Sequence, residues 1–201
     1  MAYSDLTLKK IQEIFQIELI EETGTFSGSK EVEINPYFSE ILTENIPLAL
    51  AINTEKARSE LIISPVLVEL RKIHKKKISL FSGIEFNVDK TKNLAGFCDF
   101  ILSNSPEQLF LKSPVVAIVE AKNENIMAGL SQCIAEMIAS KILNQEEGNI
   151  KIKVYGSVTS GNLWKFLKME KNRVFVDLDD YGIKDVGKIL GILSEMVEQK
   201  A

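Results

Sequence analysis

The chain has 201 residues, 45% hydrophobic and 26% charged, with a formal net charge of -4 and a pI near 5.3. That is enough chain for one domain with a substantial core, too little for two independent ones, and it excludes both a disordered protein and a strongly basic one that coats nucleic acid. Two cysteines in apolar surroundings and a single histidine exclude a disulfide framework and a zinc cluster, and the lack of a basic-then-apolar start or an apolar run of bilayer length predicts a cytoplasmic protein that enters no membrane.

In chain order, Leu8, Ile11, Ile14, Phe15 and Leu19 recur at helical spacing and predict a helix over residues 4–20, opened by Ser4 or Asp5. Residues 24–29 read as a loop, and Pro36 starts a short helix to about Thr43. Residues 53–72 read as a helix capped at Asn53 or Thr54 and kinked or split at Ser64 by Pro65. The basic run 71–77 at its end complements the helix dipole or, alternatively, forms a local basic patch for nucleic acid; His74 within it reads as a solvated surface residue without a Ser or Cys partner, which disfavours triad catalysis. Strand-like runs follow at 84–88, 95–102 and 115–121, the first two joined by the polar turn 89–93. A helix over 125–143, a strand over 152–158, a hairpin from 164–169 and 173–178, and an amphipathic helix over 182–198 complete the chain. This order predicts one α/β domain over 1–201, a three-layer αβα sandwich around a central mixed β-sheet.

Charge is out of place in two of these strands. Asp99 sits inside the apolar run 95–102, and Glu120-Ala121-Lys122 ends the run 114–119. Strands of this kind are covered on both faces, where a carboxylate is rare unless it is paired or holds a metal. Side chains alternate along a strand, so Glu120 and Lys122 share a face. If residues 103–114 turn back as a hairpin, Asp99 falls opposite Glu120. Two facing carboxylates repel, and a divalent cation between them converts that repulsion into a binding site with a lysine beside it.

Asp99 followed after 20 residues by Glu120-x-Lys122 resembles the signature of the PD-(D/E)xK nuclease superfamily. The element order over 54–158 is similar to that family's αβββαβ core, a restriction-endonuclease-like fold. The segments 4–45 (helices) and 164–198 (hairpin plus helix) then read as elaborations. The resemblance implies hydrolysis of phosphodiester bonds in nucleic acid, DNA foremost, dependent on magnesium or manganese. It implies that Asp99 and Glu120 ligate the metal and that Lys122 orients and activates the attacking water. The carbonyl of Ala121, between the two motif residues, is a further candidate ligand. Glu60 occupies the place of the glutamate that many members carry on the first core helix. Gln132 is placed like the glutamine of the RecB-like branch. Two positions depart from the pattern: Cys98 precedes Asp99 where the family name has proline, and Glu136 stands where the RecB-like branch has tyrosine.

A second function class is also open. The acidic net charge and the lack of a DNA-binding appendage suit a non-catalytic interaction or assembly protein that keeps the fold. The amphipathic terminal helices could supply a homodimer interface, or pack on the sheet. A nucleotide-binding enzyme built on a phosphate loop is not expected, because no glycine-rich loop precedes a helix.

Overall fold

The computed structural model describes residues 2–199. All strands join one open mixed sheet of eight, with helices against both faces. The chain is therefore α/β, and the layering is compatible with a three-layer sandwich.

The N-terminal segment differs from the single helix expected over 4–20. A 3₁₀ turn at Tyr3–Asp5 precedes α1 (Leu8–Phe15), whose cap Thr7 accepts the amide of Lys10. Gln16 then turns left-handed at φ 52°, and the chain re-enters as β1 (Glu18–Glu22), parallel to a strand from the far end of the sequence. The next helix is longer than expected. Asn35 caps α2 (Pro36–Ile52), which continues through Pro47 and stops where Asn53 turns left-handed at φ 51°.

The segment around Pro65 divides as its chemistry requires. Thr54 caps α3 (Glu55–Arg58); a π-helical stretch, Ser59–Ile63, follows; α4 (Ser64–Ile73) then starts with Pro65 in its first turn. Proline brings no amide hydrogen to the preceding turn, and the wider π geometry absorbs the break.

β2 (Ser79–Glu85), β3 (Phe97–Ser103) and β4 (Val115–Ala121) form an antiparallel meander. The first of these lies N-terminal to the run expected at 84–88, with Gly83 in the left-handed region inside it. A 3₁₀ turn at Ile126–Gly129 leads into α5 (Leu130–Glu146), which returns the chain to β5 (Val154–Thr159), parallel to β4. β6 (Leu163–Glu170) and β7 (Arg173–Asp177) are the expected hairpin, and the short β8 (Tyr181–Gly182) pairs with β6 before α6 (Val186–Val197). Across the sheet the order is β1-β7-β6-β5-β4-β3-β2.

Side-chain alternation sends the sheet's apolar residues to two cores. Phe100, Val119, Trp164 and Phe166 meet Leu67 of α4 and Leu190 and Leu193 of α6. Ile101, Ile118 and Val158 meet Ile134 and Met137 of α5 and Ile11 of α1. β4, central in the sheet, is buried along its whole length, which is why its sequence is an unbroken apolar run. Two glycines mark close approaches. A Cβ at Gly156 on β5 would lie 2.5 Å from Met137 Sδ and 2.7 Å from Cys133 Sγ, so α5 rests almost on the β5 backbone. A Cβ at Gly191 on α6 would lie 1.9 Å from the carbonyl oxygen of Lys30. Among the described residues, 126–146 is the one helical stretch long and apolar enough to cross a bilayer, and it is mostly buried against β4 and β5.

The two outermost strands are finished differently. The side-chain amide of Gln108 donates to the Leu80 carbonyl of β2 at 2.7 Å and accepts the Leu80 amide at 3.2 Å, as a neighbouring strand would. β1 at the opposite margin carries exposed Glu18, Glu21 and Glu22.

Candidate active site

The pairing of β3 with β4 runs through Leu102↔Ala117, Ile101↔Ile118 and Phe100↔Val119. One step further along the same register, Asp99 comes opposite Glu120. The backbone ladder stops there, and Asp99 Oδ2 accepts the amide of Ala121 at 2.8 Å. A carboxylate thus substitutes for a strand partner at the end of the meander. Lys122, just past β4, gives its amide to the Thr159 carbonyl of β5 at 2.8 Å, which fixes the motif between three strands.

Glu120 projects toward α5 and is 1% exposed. Its Oε1 accepts a hydrogen bond of 2.5 Å from Lys122 Nζ, whose side chain is 22% exposed. Its Oε2 is buried and has no hydrogen-bond partner. From α5, Gln132 Nε2 donates to Glu136 Oε1 at 3.1 Å, and Glu136 is wholly buried with its Oε2 likewise without a partner. Cys98 and Cys133 are free, buried thiols beside these carboxyls.

Crowded carboxyls in a dry setting titrate abnormally. Burial, and then the charge of Asp99, push Glu120 up from 4.5 to about 8 against the opposing pull of Lys122. Burial, and then the charge of Glu120, hold Glu136 well above the ordinary glutamate value. Burial works against the charged form of Lys122, but the hydrogen bond it donates to Glu120 and the charges of Glu120, Glu55 and Asp99 outweigh it and leave the lysine above its usual value. Burial prevails at the almost inaccessible glutamate, and ion pairing prevails at the more exposed lysine.

The structure brings Asp99, Glu120, Ala121 and Lys122 together. It places Gln132 one helical turn from Glu136 and bonded to it. Glu60 stands apart: it lies on the π-helical stretch, 63% exposed, with Lys56 Nζ at 3.4 Å as its partner. The acid of this region whose charge reaches Glu120 and Lys122 is Glu55, in the first turn of α3. Among the described residues no three His, Cys, Asp or Glu side chains are gathered as a ready set of metal ligands.

Three features escape a reading of the sequence. Glu136 is visible only as a departure from a family pattern, yet it is the most deeply buried carboxyl beside the motif. Arg58, the last residue of α3 and 7% exposed, donates to the Ser160 carbonyl at 2.9 Å, Asn162 Oδ1 at 2.6 Å and Asn53 Oδ1 at 2.9 Å, clamping α3 and the end of α2 to the turn that follows β5. No local signal marks it, because two of its three partners, Ser160 and Asn162, are over 100 residues away. His74 is not the solvated residue expected: it is half-buried, burial lowers its pKa, and its Nε2 lies 3.0 Å from Ser194 Oγ. That partner comes from α6, 120 positions along the chain, where spacing cannot reveal it.

No protein-family model matches the chain, and no curated protein matches it.

Proposed function

We propose that the chain is a metal-dependent nuclease of restriction-endonuclease-like fold that hydrolyses phosphodiester bonds, DNA being the first substrate to test. The observation that carries this reading is the convergence of Asp99 and Glu120 at the open end of the β3–β4 pair, with Lys122 alongside and one Glu120 oxygen buried without a partner. A buried, unsatisfied carboxylate oxygen costs stability, so its retention beside a second carboxylate suits a ligand. The antiparallel meander, the α5 crossover and the parallel β5 support the fold assignment.

The donor chemistry fits magnesium or manganese, which favour hard oxygen ligands. Asp99 and Glu120 would hold the ion, with the Ala121 carbonyl available between them. A bound divalent cation supplies Lewis acidity and lowers the pKa of coordinated water. The protein's own part is positioning. The Ala121 amide fixes Asp99, the Thr159 carbonyl fixes the backbone of Lys122, and the Lys122 ammonium presents a point charge to a scissile phosphate oxygen. Burial of Glu120 and Glu136 excludes water from behind the site.

Incubation of the protein with DNA and with RNA, in magnesium and in manganese, tests the proposal. Cleavage by the wild type that is lost in Glu120→Ala is expected. Intact substrates under all four conditions, or equal cleavage by the variant, reject it.

One observation favours a second reading, a non-cleaving assembly protein. Glu120 and Lys122 already satisfy each other at 2.5 Å, and Asp99 is engaged by an amide, as in a structural ion pair. On this reading magnesium leaves stability unchanged, and loss of either charge unfolds the protein more readily.

A further inference from the structure

A groove of about 480 Å³ lies at the end of the sheet remote from the carboxylates. Its walls are the last turns of α5, the start of β5 and the turn between β6 and β7, whereas Glu120 is level with Val158 at the other end of β5. The volume falls within the roughly 300–1,000 Å³ typical of small-ligand sites.

Its charge runs against that of the chain. A protein of net charge -4 lines this groove with Lys141, Lys151, Lys153 and Lys171, and with the single acid Glu170. That glutamate is occupied by Lys153 at 2.8 Å and Lys168 at 3.5 Å. Among the described residues, Lys141, Lys151 and Lys171 have no carboxylate partner. Lys141 is drawn inward: its ammonium donates to the Lys171 carbonyl at 2.6 Å and to Asn172 Oδ1 at 3.1 Å, and burial lowers its pKa. A cation partly out of water that shares a groove with two further lysines lacking carboxylate partners leaves positive charge that a bound anion would offset. Gln145 and Asn149 add amide donors and acceptors, and Ile150, 70% exposed, supplies an apolar surface at the rim.

We propose that this groove binds a small phosphorylated ligand of nucleotide size. The lysines meet the phosphates as point charges, the amides read the polar edge of the ligand, and Ile150 covers its flat apolar part. Side chains rather than a glycine-rich loop provide the recognition, so the site has no sequence motif. The proposal is independent of the nuclease reading.

The test is a fluorescence titration of the full chain with mant-ADP at low ionic strength, using competitors and two variants. Saturable binding displaced by pyrophosphate but not by adenosine is expected, with at least a tenfold loss of affinity in the double variant K151E/K171E and none in Lys122→Ala. Both reversed positions are exposed, so the fold survives the change. Absence of saturation at millimolar ligand, full affinity in the double variant, displacement by adenosine, or loss in Lys122→Ala overturns the proposal. Stronger displacement by a single-stranded oligonucleotide than by ADP also overturns it, because the groove would then follow a nucleic-acid strand.

Discussion

Replacing Glu120 by Gln separates a carboxylate kept for a ligand from one kept for an ion pair. The folded protein holds this group at about 8 against an ordinary 4.5, through burial first and Asp99 second. A raised acid pKa means that ionisation is harder in the folded state than in the unfolded one. The associated stability is therefore fully present below pH 4.5 and is lost as pH climbs through 8. At 1.36 kcal/mol for each pH unit between those values, the loss is about 5 kcal/mol over that window. Glutamine keeps the shape and the acceptor for Lys122 but cannot ionise. Urea unfolding at pH 5, 6.5 and 8 should show the wild type weakening with pH and the variant weakening less, so that the variant is the more stable by a few kcal/mol at pH 8. Glu136, raised in the same direction, retains part of the slope in the single variant. Addition of 10 mM magnesium at pH 8 should stabilise the wild type and leave the variant unchanged. Parallel pH profiles, or a variant weaker than the wild type at pH 8, would show that the Lys122 bond outweighs burial and would refute the reasoning.

Three other substitutions probe the same architecture. Lys122→Ala should lower cleavage about 10²–10³-fold, as loss of one preorganised electrostatic donor does, with little change in unfolding midpoint because its buried partner can take up a proton; an unchanged rate removes the lysine from the mechanism. Arg58→Met keeps volume but drops three hydrogen bonds from a charged group, and should cost roughly 3 kcal/mol in urea unfolding; a loss under about 1 kcal/mol would make the clamp dispensable. Gly191→Ala drives a methyl group into the Lys30 carbonyl and should cost about 3 kcal/mol or more, whereas an unshifted melting temperature would mean that the 28–32 segment yields freely.

Legibility in the sequence followed the range of the interactions involved. The expected bounds of the central strand, 115–121, coincide with Val115–Ala121, because burial on both faces leaves an apolar run with only one reading. The facing of Asp99 and Glu120 was likewise accessible from folding 103–114 back on itself, although the register shift between Leu102 and Ser103 is invisible to residue counting. Residues 18–20 were not legible: Leu19 continues the helical spacing expected over 4–20, and only pairing with Arg173–Asp177 makes Glu18–Glu22 a strand. For α2, the stop expected near Thr43 missed packing of Leu42 and Ala49 into the core that carries the helix past Pro47. Among the acids, Glu60 had the expected sequence spacing, but the π-helical stretch turns it to solvent and leaves Glu55 as the nearer charge. Helical phase inside an irregular stretch cannot be counted from residue numbers alone.

The amide of Gln108 and the glutamates of β1 bear on how the protein meets its own kind. One border of the sheet is already plugged by a side chain that imitates a partner, and the other repels an approaching copy. Self-association by strand-to-strand continuation is disfavoured at both margins. The helical surfaces are the more open faces for a homodimer of this chain, and crowding the protein in solution should not readily seed cross-β fibres from the native state.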